Sequence, residues 1–129
     1  MLDTDTCSYV IRGVSEKLDK KISVVRPHNL CISVITQAEL LFGVERKGGP
    51  PKLAGLVSKF LQKIPSLPWD DEAARWYARI RAGLEAQGKP IGNLDLLIAS
   101  HALAMDCVLI TNNERHFGKV PGLTVENWS

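Results

Sequence analysis

Four oxygen-bearing side chains stand where they could form an acidic site for a divalent cation. Each follows a short apolar segment or lies near the start of a predicted helix, and they are Asp3, Glu39, Asp95 and Asn113. In a parallel α/β sheet such positions meet beyond the carboxyl ends of the strands. Clustered carboxylates raise one another's pKa unless a cation intervenes, and oxygen ligands with few His or Cys residues favour Mg²⁺ or Mn²⁺. Such an ion can polarise a phosphate and activate a water for in-line attack.

Each of these acids also has an explanation that involves no chemistry. Residues 36–39 have the form of a capping box, in which the glutamate would bond back to the amide of Thr36. Asn93 is a suitable N-cap, and the aspartate two positions later would interact favourably with the helix dipole. Asp3 could form a surface pair with Asp5. Composition and spacing alone therefore indicate a candidate metal site and leave these structural roles open.

The elements that must position these side chains alternate between short apolar strands and helices. Strands are predicted at residues 1–3, 29–33, 107–111 and 123–127, with a brief extended segment between Pro65 and Pro68. Helices are predicted at residues 6–12, 36–46, 53–63, 70–87 and 93–105. Strands separated by helices imply a parallel sheet with helices on both faces. We therefore predict an α/β fold, a three-layer α/β/α sandwich around a central, mainly parallel sheet.

The bulk properties fit a single domain over residues 1–129, with one core and no membrane span. The net charge of +2 neither requires nor opposes nucleic-acid binding. Three well-separated cysteines without C-x-x-C spacing argue against disulfides or a zinc site, and the absence of a signal segment favours the cytoplasm. The histidines, at positions 28, 101 and 116, share no metal-binding spacing, so we expect surface or supporting roles for them.

Four stretches of the chain resemble, in order, the motifs of PIN-domain ribonucleases. They are residues 2–5 (LDTD), 33–40 (SVITQAEL), 91–99 (IGNLDLLIA) and 109–117 (LITNNERHF), the last continued by 120–123 (VPGL). The third is the most specific, and together they span nearly the whole chain. The short chain and its Trp128 ending resemble the VapC toxins of bacterial toxin–antitoxin pairs.

This resemblance implies which residues carry the chemistry. Asp3, Glu39 and Asp95 match the three core acids of the family, which bind one or two Mg²⁺ or Mn²⁺ ions directly or through water. Asn113 stands where many relatives have a fourth acid, so a second metal site would be weaker here. Supporting roles fall to two further residues, Asp5 and Thr111.

The resemblance also implies a substrate and partners. Members of this branch cut structured RNA such as tRNA, form homodimers and are silenced by a VapB-type antitoxin whose C-terminal segment lies in the active-site groove. Independently of the resemblance, Arg75 and Arg79 lie one turn apart on the longest predicted helix. They form either a solvated helix face or a contact for the RNA backbone.

Three other functions remain open from the sequence. A PIN-like module could have lost activity through Asn113 and serve in RNA binding or regulation. A flavodoxin-like phospho-acceptor domain also uses an acidic Mg²⁺ pocket, although it expects a lysine near the end of a late strand. A phosphatase-like enzyme would match the D-x-D form of residues 3–5. The later motifs favour the nuclease.

Overall fold

The computed structural model describes all residues from Met1 to Ser129. It contains seven α-helices, one 3₁₀ turn and four short strands. In chain order they are α1 (Thr4–Arg12), α2 (Glu16–Val24), the 3₁₀ turn (Pro27–Asn29), β1 (Ile32–Ser33), α3 (Val34–Arg46), α4 (Pro51–Lys63), β2 (Ser66–Leu67), α5 (Asp71–Ala86), α6 (Asn93–Ala104), β3 (Leu109–Ile110), α7 (Glu114–Phe117) and β4 (Val125–Glu126).

The N-terminal residues link the strands into one arrangement. Strand β1 pairs in parallel with β2, and β3 pairs in parallel with β4. Leu2 forms a parallel bridge with Ile110, and its amide donates to the Cys31 carbonyl at 2.9 Å. The spatial order is therefore β2, β1, the N-terminal segment, β3 and β4. Because later strands are added on one side and then on the other, the order reverses at the N-terminal segment, where α/β folds place their ligands.

Two hydrophobic clusters show that helices cover both faces of this sheet. Neighbouring residues alternate between the clusters: Met1 and Leu109 belong to one, whereas Leu2 and Ile110 belong to the other. This alternation follows from the two-residue period of a strand. The first cluster also contains buried residues of α5 and α6, and the second contains residues of α1, α3 and α4. The predicted three-layer α/β/α sandwich is thus confirmed.

Several predicted boundaries are wrong. The strand predicted at residues 29–33 is confined to Ile32–Ser33, because a 3₁₀ turn occupies the preceding residues. Helix α3 begins at Val34 with Ser33 as its N-cap, so Thr36 does not cap it. Gly92, not Asn93, is the N-cap of α6. Helices α2 and α7 were not predicted at all. The extended segment between the two prolines is β2.

The structure also tests the predictions about the cysteines, the histidines and a membrane span. All three cysteines are free, as expected. His101 does not lie at the surface, since its exposed fraction is 0%. No helix combines the length and the apolar character needed to cross a membrane.

Candidate active site

Asp3 is positioned by two backbone interactions at the end of the N-terminal segment. Its amide donates to the Ile110 carbonyl at 3.0 Å, which holds it beside β3. Its carboxylate then caps α1, with Oδ1 accepting from the Thr6 amide at 2.9 Å. The side chain is 4% exposed, so Asp3 is not part of a surface pair. One carboxylate oxygen is therefore occupied by the chain itself.

Glu39 lies on α3 and is held from the first turn of α1. The Thr4 hydroxyl donates to Glu39 Oε1, and the hydroxyls of Thr4 and Thr36 lie 3.2 Å apart. The capping-box explanation of Glu39 is wrong, because Ser33 caps the helix through a hydrogen bond from the Ile35 amide at 3.1 Å. Glu39 thus points toward the N-terminus of α1.

Asp95 lies in the first turn of α6, as predicted, between one exposed and one buried leucine. Leu94 before it is 49% exposed, whereas Leu96 after it is 3% exposed. Its side chain is 40% exposed, and its Oδ2 lies 3.0 Å from Nε2 of His116 on α7. Asp95 therefore stands at the border between the core and the solvent.

A cavity of about 50 Å³ brings the predicted acids together. It is lined by Asp3, Thr4, Asp5, Glu39, Asp95, Asn113 and Phe117. Asn113 is exposed and makes no side-chain capping bond to α7. Thr111 is buried just before it, with its hydroxyl accepting from the Asn113 amide at 2.9 Å.

Burial and mutual repulsion raise the pKa of three of these acids. Burial is the main cause at Asp3, Glu39 and Asp95, and the charge of Asp5 raises all three further. The charges of Asp95 and Asp3 also raise the pKa of Glu39. Hydrogen bonds from threonines act against this shift at Asp3 and Glu39, and His116 acts against it at Asp95. The site therefore has an excess of negative charge that a cation would offset.

The donor set fits a hard cation that keeps part of its water shell. All the polar side chains that line the cavity offer oxygen, which Mg²⁺ and Mn²⁺ prefer. No three carboxylate, imidazole or thiol groups of the chain lie close enough to coordinate one ion together. This spacing suits Mg²⁺, which proteins hold through one or two carboxylates while it retains several waters.

The chain matches the PIN domain family model over residues 1–123. This chain belongs to the PIN domain family. It is 36% identical to the tRNA(fMet)-specific endonuclease VapC of Salmonella typhimurium over 128 residues, which cover 99% of this chain and 96% of that protein. It is 35% identical to ribonuclease VapC2 of Rickettsia felis over 99% of this chain and 96% of that protein.

A solved structure extends the likeness to the fold. The DNA-bound VapBC of Salmonella typhimurium matches with a TM-score of 0.94 and 36% identity, covering 100% of this chain and 97% of that one. The predicted PIN-domain endoribonuclease of the VapC toxin type is thereby confirmed as a class.

The predicted RNA-binding arginines of this PIN domain lie elsewhere. Both are on α5, which contributes no residue to the acidic cavity. Arg75 lies 3.6 Å from Glu72 in an exposed ion pair, and the Arg79 guanidinium lies 5.1 Å from the centre of the Trp76 ring. The structure does not bring them to the acids.

Sequence reasoning missed Arg46 and His116, which lie beside the acids. A second cavity, of about 260 Å³, shares Thr4, Asp5 and Glu39 with the acidic cavity and is also lined by Arg12 and Arg46. The spacing of Arg46 carried a signal, because a residue seven positions after Glu39 lies on the same helix face. The contact of His116 with Asp95 had no signal beyond its closeness to Asn113 in the sequence.

Proposed function

We propose that this single-domain chain is a Mg²⁺-dependent endoribonuclease toxin, with Mn²⁺ as an alternative ion, that cuts structured RNA of the tRNA class. The observation that carries the proposal is the cavity in which acids from three separate elements meet: Asp3 from the N-terminal segment, Glu39 from α3 and Asp95 from α6. Their raised pKa values support a cation there. The tRNA class is supported by the name of the Salmonella relative.

The roles of the acids follow from which oxygens the chain leaves free. Asp3, Glu39 and Asp95 would hold the cation, at most two of them directly and the third through a bound water, and the cation would supply positive charge against the scissile phosphate and lower the pKa of the attacking water. The Thr4 hydroxyl fixes Oε1 of Glu39 and leaves Oε2 free to accept the proton of that water.

Asn113 completes the site without adding charge. Its side chain lines the cavity and makes no capping bond, so its amide is free to orient a water or a phosphate oxygen. In-line attack by the water then expels the 3′ oxygen and leaves a 5′-phosphate and a 3′-hydroxyl. Asp5 supports this arrangement by lining the cavity. Thr111 supports it by accepting a hydrogen bond from the backbone amide of Asn113.

The RNA backbone approaches along the second cavity. Arg12 and Arg46 line it next to Glu39, and their charges lie where phosphates that flank the cut would pass. Arg75 and Arg79 on α5 would contact more distant phosphates of a structured RNA.

A VapB-type antitoxin and a second copy of the chain are the proposed protein partners, in the cytoplasm. The solved VapBC structures support the first, since they align with this chain over its full length. Exposed apolar side chains near the site support a surface that a protein partner covers. Phe42 is 62% exposed and Leu94 is 49% exposed, and both line a groove that also contains Glu39.

Cleavage of a tRNA pool by the purified chain tests this function. We expect cuts only with Mg²⁺ or Mn²⁺ and none with a chelator, at one discrete position identified by sequencing the RNA ends. Asp3→Asn, which retains an N-cap, and Asp95→Asn should each lower the rate by roughly 100-fold or more, because each loses several kcal/mol of charge stabilisation. Asp106→Asn is the matched control outside the cavity, at a positive φ that asparagine also tolerates. Metal-dependent cleavage at the wild-type rate in folded Asp3→Asn and Asp95→Asn variants would rule the assignment out.

A further inference from the structure

Each of the three cavity acids has one carboxylate oxygen held by a donor of the chain. The Thr6 amide holds Asp3, the Thr4 hydroxyl holds Glu39, and the His116 imidazole lies against Asp95. The His116 contact is the only one that any acid at the cavity makes with a basic side chain. No other side chain or amide of the protein hydrogen-bonds the Asp95 carboxylate.

We propose that His116 is the positioning residue of Asp95. His116 Nε2 lies 3.0 Å from Asp95 Oδ2. With a hydrogen on Nε2 it would fix Oδ2 and leave Oδ1 free for the cation. The inference rests on the proposed function, since it concerns the same metal site. Asp95 needs such a partner most, because its side chain is 40% exposed and would otherwise move among several rotamers.

The surroundings of His116 hold the ring in place. Its ring lies edge-on to that of Phe117, with the centroids 5.7 Å apart, and Phe117 is 1% exposed and lines the acidic cavity. The amides of His116 and Phe117 both donate to the Asn113 carbonyl at 3.2 Å. Helix α7 therefore places Asn113 and His116 around Asp95 as one unit.

A direct ligand role for His116 makes different predictions. A ligating Nε2 must direct its lone pair to the ion, so it could not donate a hydrogen to Asp95. An imidazole ligand would also favour Mn²⁺, Co²⁺ or Ni²⁺ strongly over Mg²⁺, and an uncharged amide would not replace it. A positioning role requires only an N–H at the place of Nε2, which glutamine can supply and the shorter asparagine cannot.

Binding of Mn²⁺ to the full chain, followed by electron paramagnetic resonance of the free ion, tests the proposal without depending on cleavage. We expect His116→Ala and His116→Asn to weaken Mn²⁺ binding by about 10- to 100-fold, the usual effect of losing a partner of a metal ligand. His116→Gln should remain within about threefold of wild type, and RNA cleavage should follow the same order. In the Asp95→Asn background, removing His116 should cause no further loss.

The outcomes separate this inference from the proposed function. If wild type binds Mn²⁺ and folded His116→Ala binds it equally well, His116 has no positioning role. The proposal also fails if His116→Gln is as defective as His116→Ala, or if the loss adds fully to that of Asp95→Asn. A wild-type chain that binds no Mn²⁺ overturns the metal site itself, and this inference with it.

Discussion

Replacing His101 by asparagine should remove an acid-sensitive part of the protein's stability. His101 is 0% exposed, and its Nδ1 lies 2.7 Å from the Ser33 hydroxyl. Its Nε2 is buried and has no hydrogen-bond partner. Burial lowers the pKa of His101, although the charge of Asp70 and the Pro68 carbonyl act against the shift. His101 therefore binds a proton less readily in the folded chain than in the unfolded chain.

The size of the effect follows from proton linkage. An unfolded histidine has a pKa of about 6.5, so stability falls as the pH drops through that value while His101 stays neutral in the folded state. Between pH 7.5 and pH 5.5 the loss in unfolding free energy from this single group is at most about 1.4 kcal/mol. The raised pKa values of the three cavity acids act in the opposite direction, because they favour proton uptake by the folded state.

Urea unfolding at the two pH values measures this loss in wild type and in His101→Asn. The carboxyl contributions cancel in the comparison, and the asparagine amide can still reach the Ser33 hydroxyl. We expect wild type to lose about 1 kcal/mol more than the variant, and the control His28→Asn, at an exposed histidine, to behave as wild type. Equal pH dependence in wild type and His101→Asn would refute the reasoning, as would a wild-type NMR titration showing His101 protonated near pH 6.5.

Three further outcomes concern the acidic cavity and the RNA. Thr4→Val removes the hydroxyl that donates to Glu39. Because hydrogen bonds to charged groups contribute about 1.5–3 kcal/mol, Mn²⁺ affinity measured by calorimetry should fall roughly 10- to 100-fold. Unchanged affinity would contradict the role of the hydroxyl. Mn²⁺ affinity of wild type should fall as the pH drops toward the raised pKa values of the cavity acids, so titrations that agree from pH 7.5 down to the lowest pH at which the chain stays folded would argue against those acids as ligands. Arg12→Gln and Arg46→Gln should each weaken RNA binding and reduce its salt dependence by about one unit of slope, measured by filter binding from 50 to 200 mM salt, more than substitution of the two α5 arginines does.

The parts of the fold that sequence predicted well are those with long periodic signals. The 16-residue helix α5, with Asp70 as its N-cap, and the start of α6 lie within a residue of their predicted positions. Strand lengths were overestimated, because paired segments of two residues are too short to show an alternating pattern. Helix α2 was missed because charged residues surround its apolar Leu18 and Ile22, although Ser15 was available as a cap.

In the candidate site, the sequence identified the acids but not all of their partners. Asp3, Glu39 and Asp95 were identifiable because each stands in a recognisable motif next to an element boundary. The partners of Glu39 and Asp95 were not, since they lie on other elements: Thr4 faces Glu39 across 35 positions of the chain, and His116 lies on α7. Local sequence indicated Thr36 as the cap of α3, whereas Ser33 caps it. The contact of Ser33 with His101, 68 positions away, is consistent with the observed choice.

The acids are held in place by backbone topology and not by one another. Asp3 follows the segment at which the strand order reverses, Glu39 lies on the helix that leaves β1, and Asp95 lies in the first turn of α6. Thr6 and Thr4 of α1 direct Asp3 and Glu39, and His116 of α7 lies against Asp95, so the carboxylates stay in place although their mutual repulsion disfavours it. Because the acids lie on separate elements, no three of them are close enough to coordinate one ion together. This spacing suits an Mg²⁺ ion that retains several of its waters.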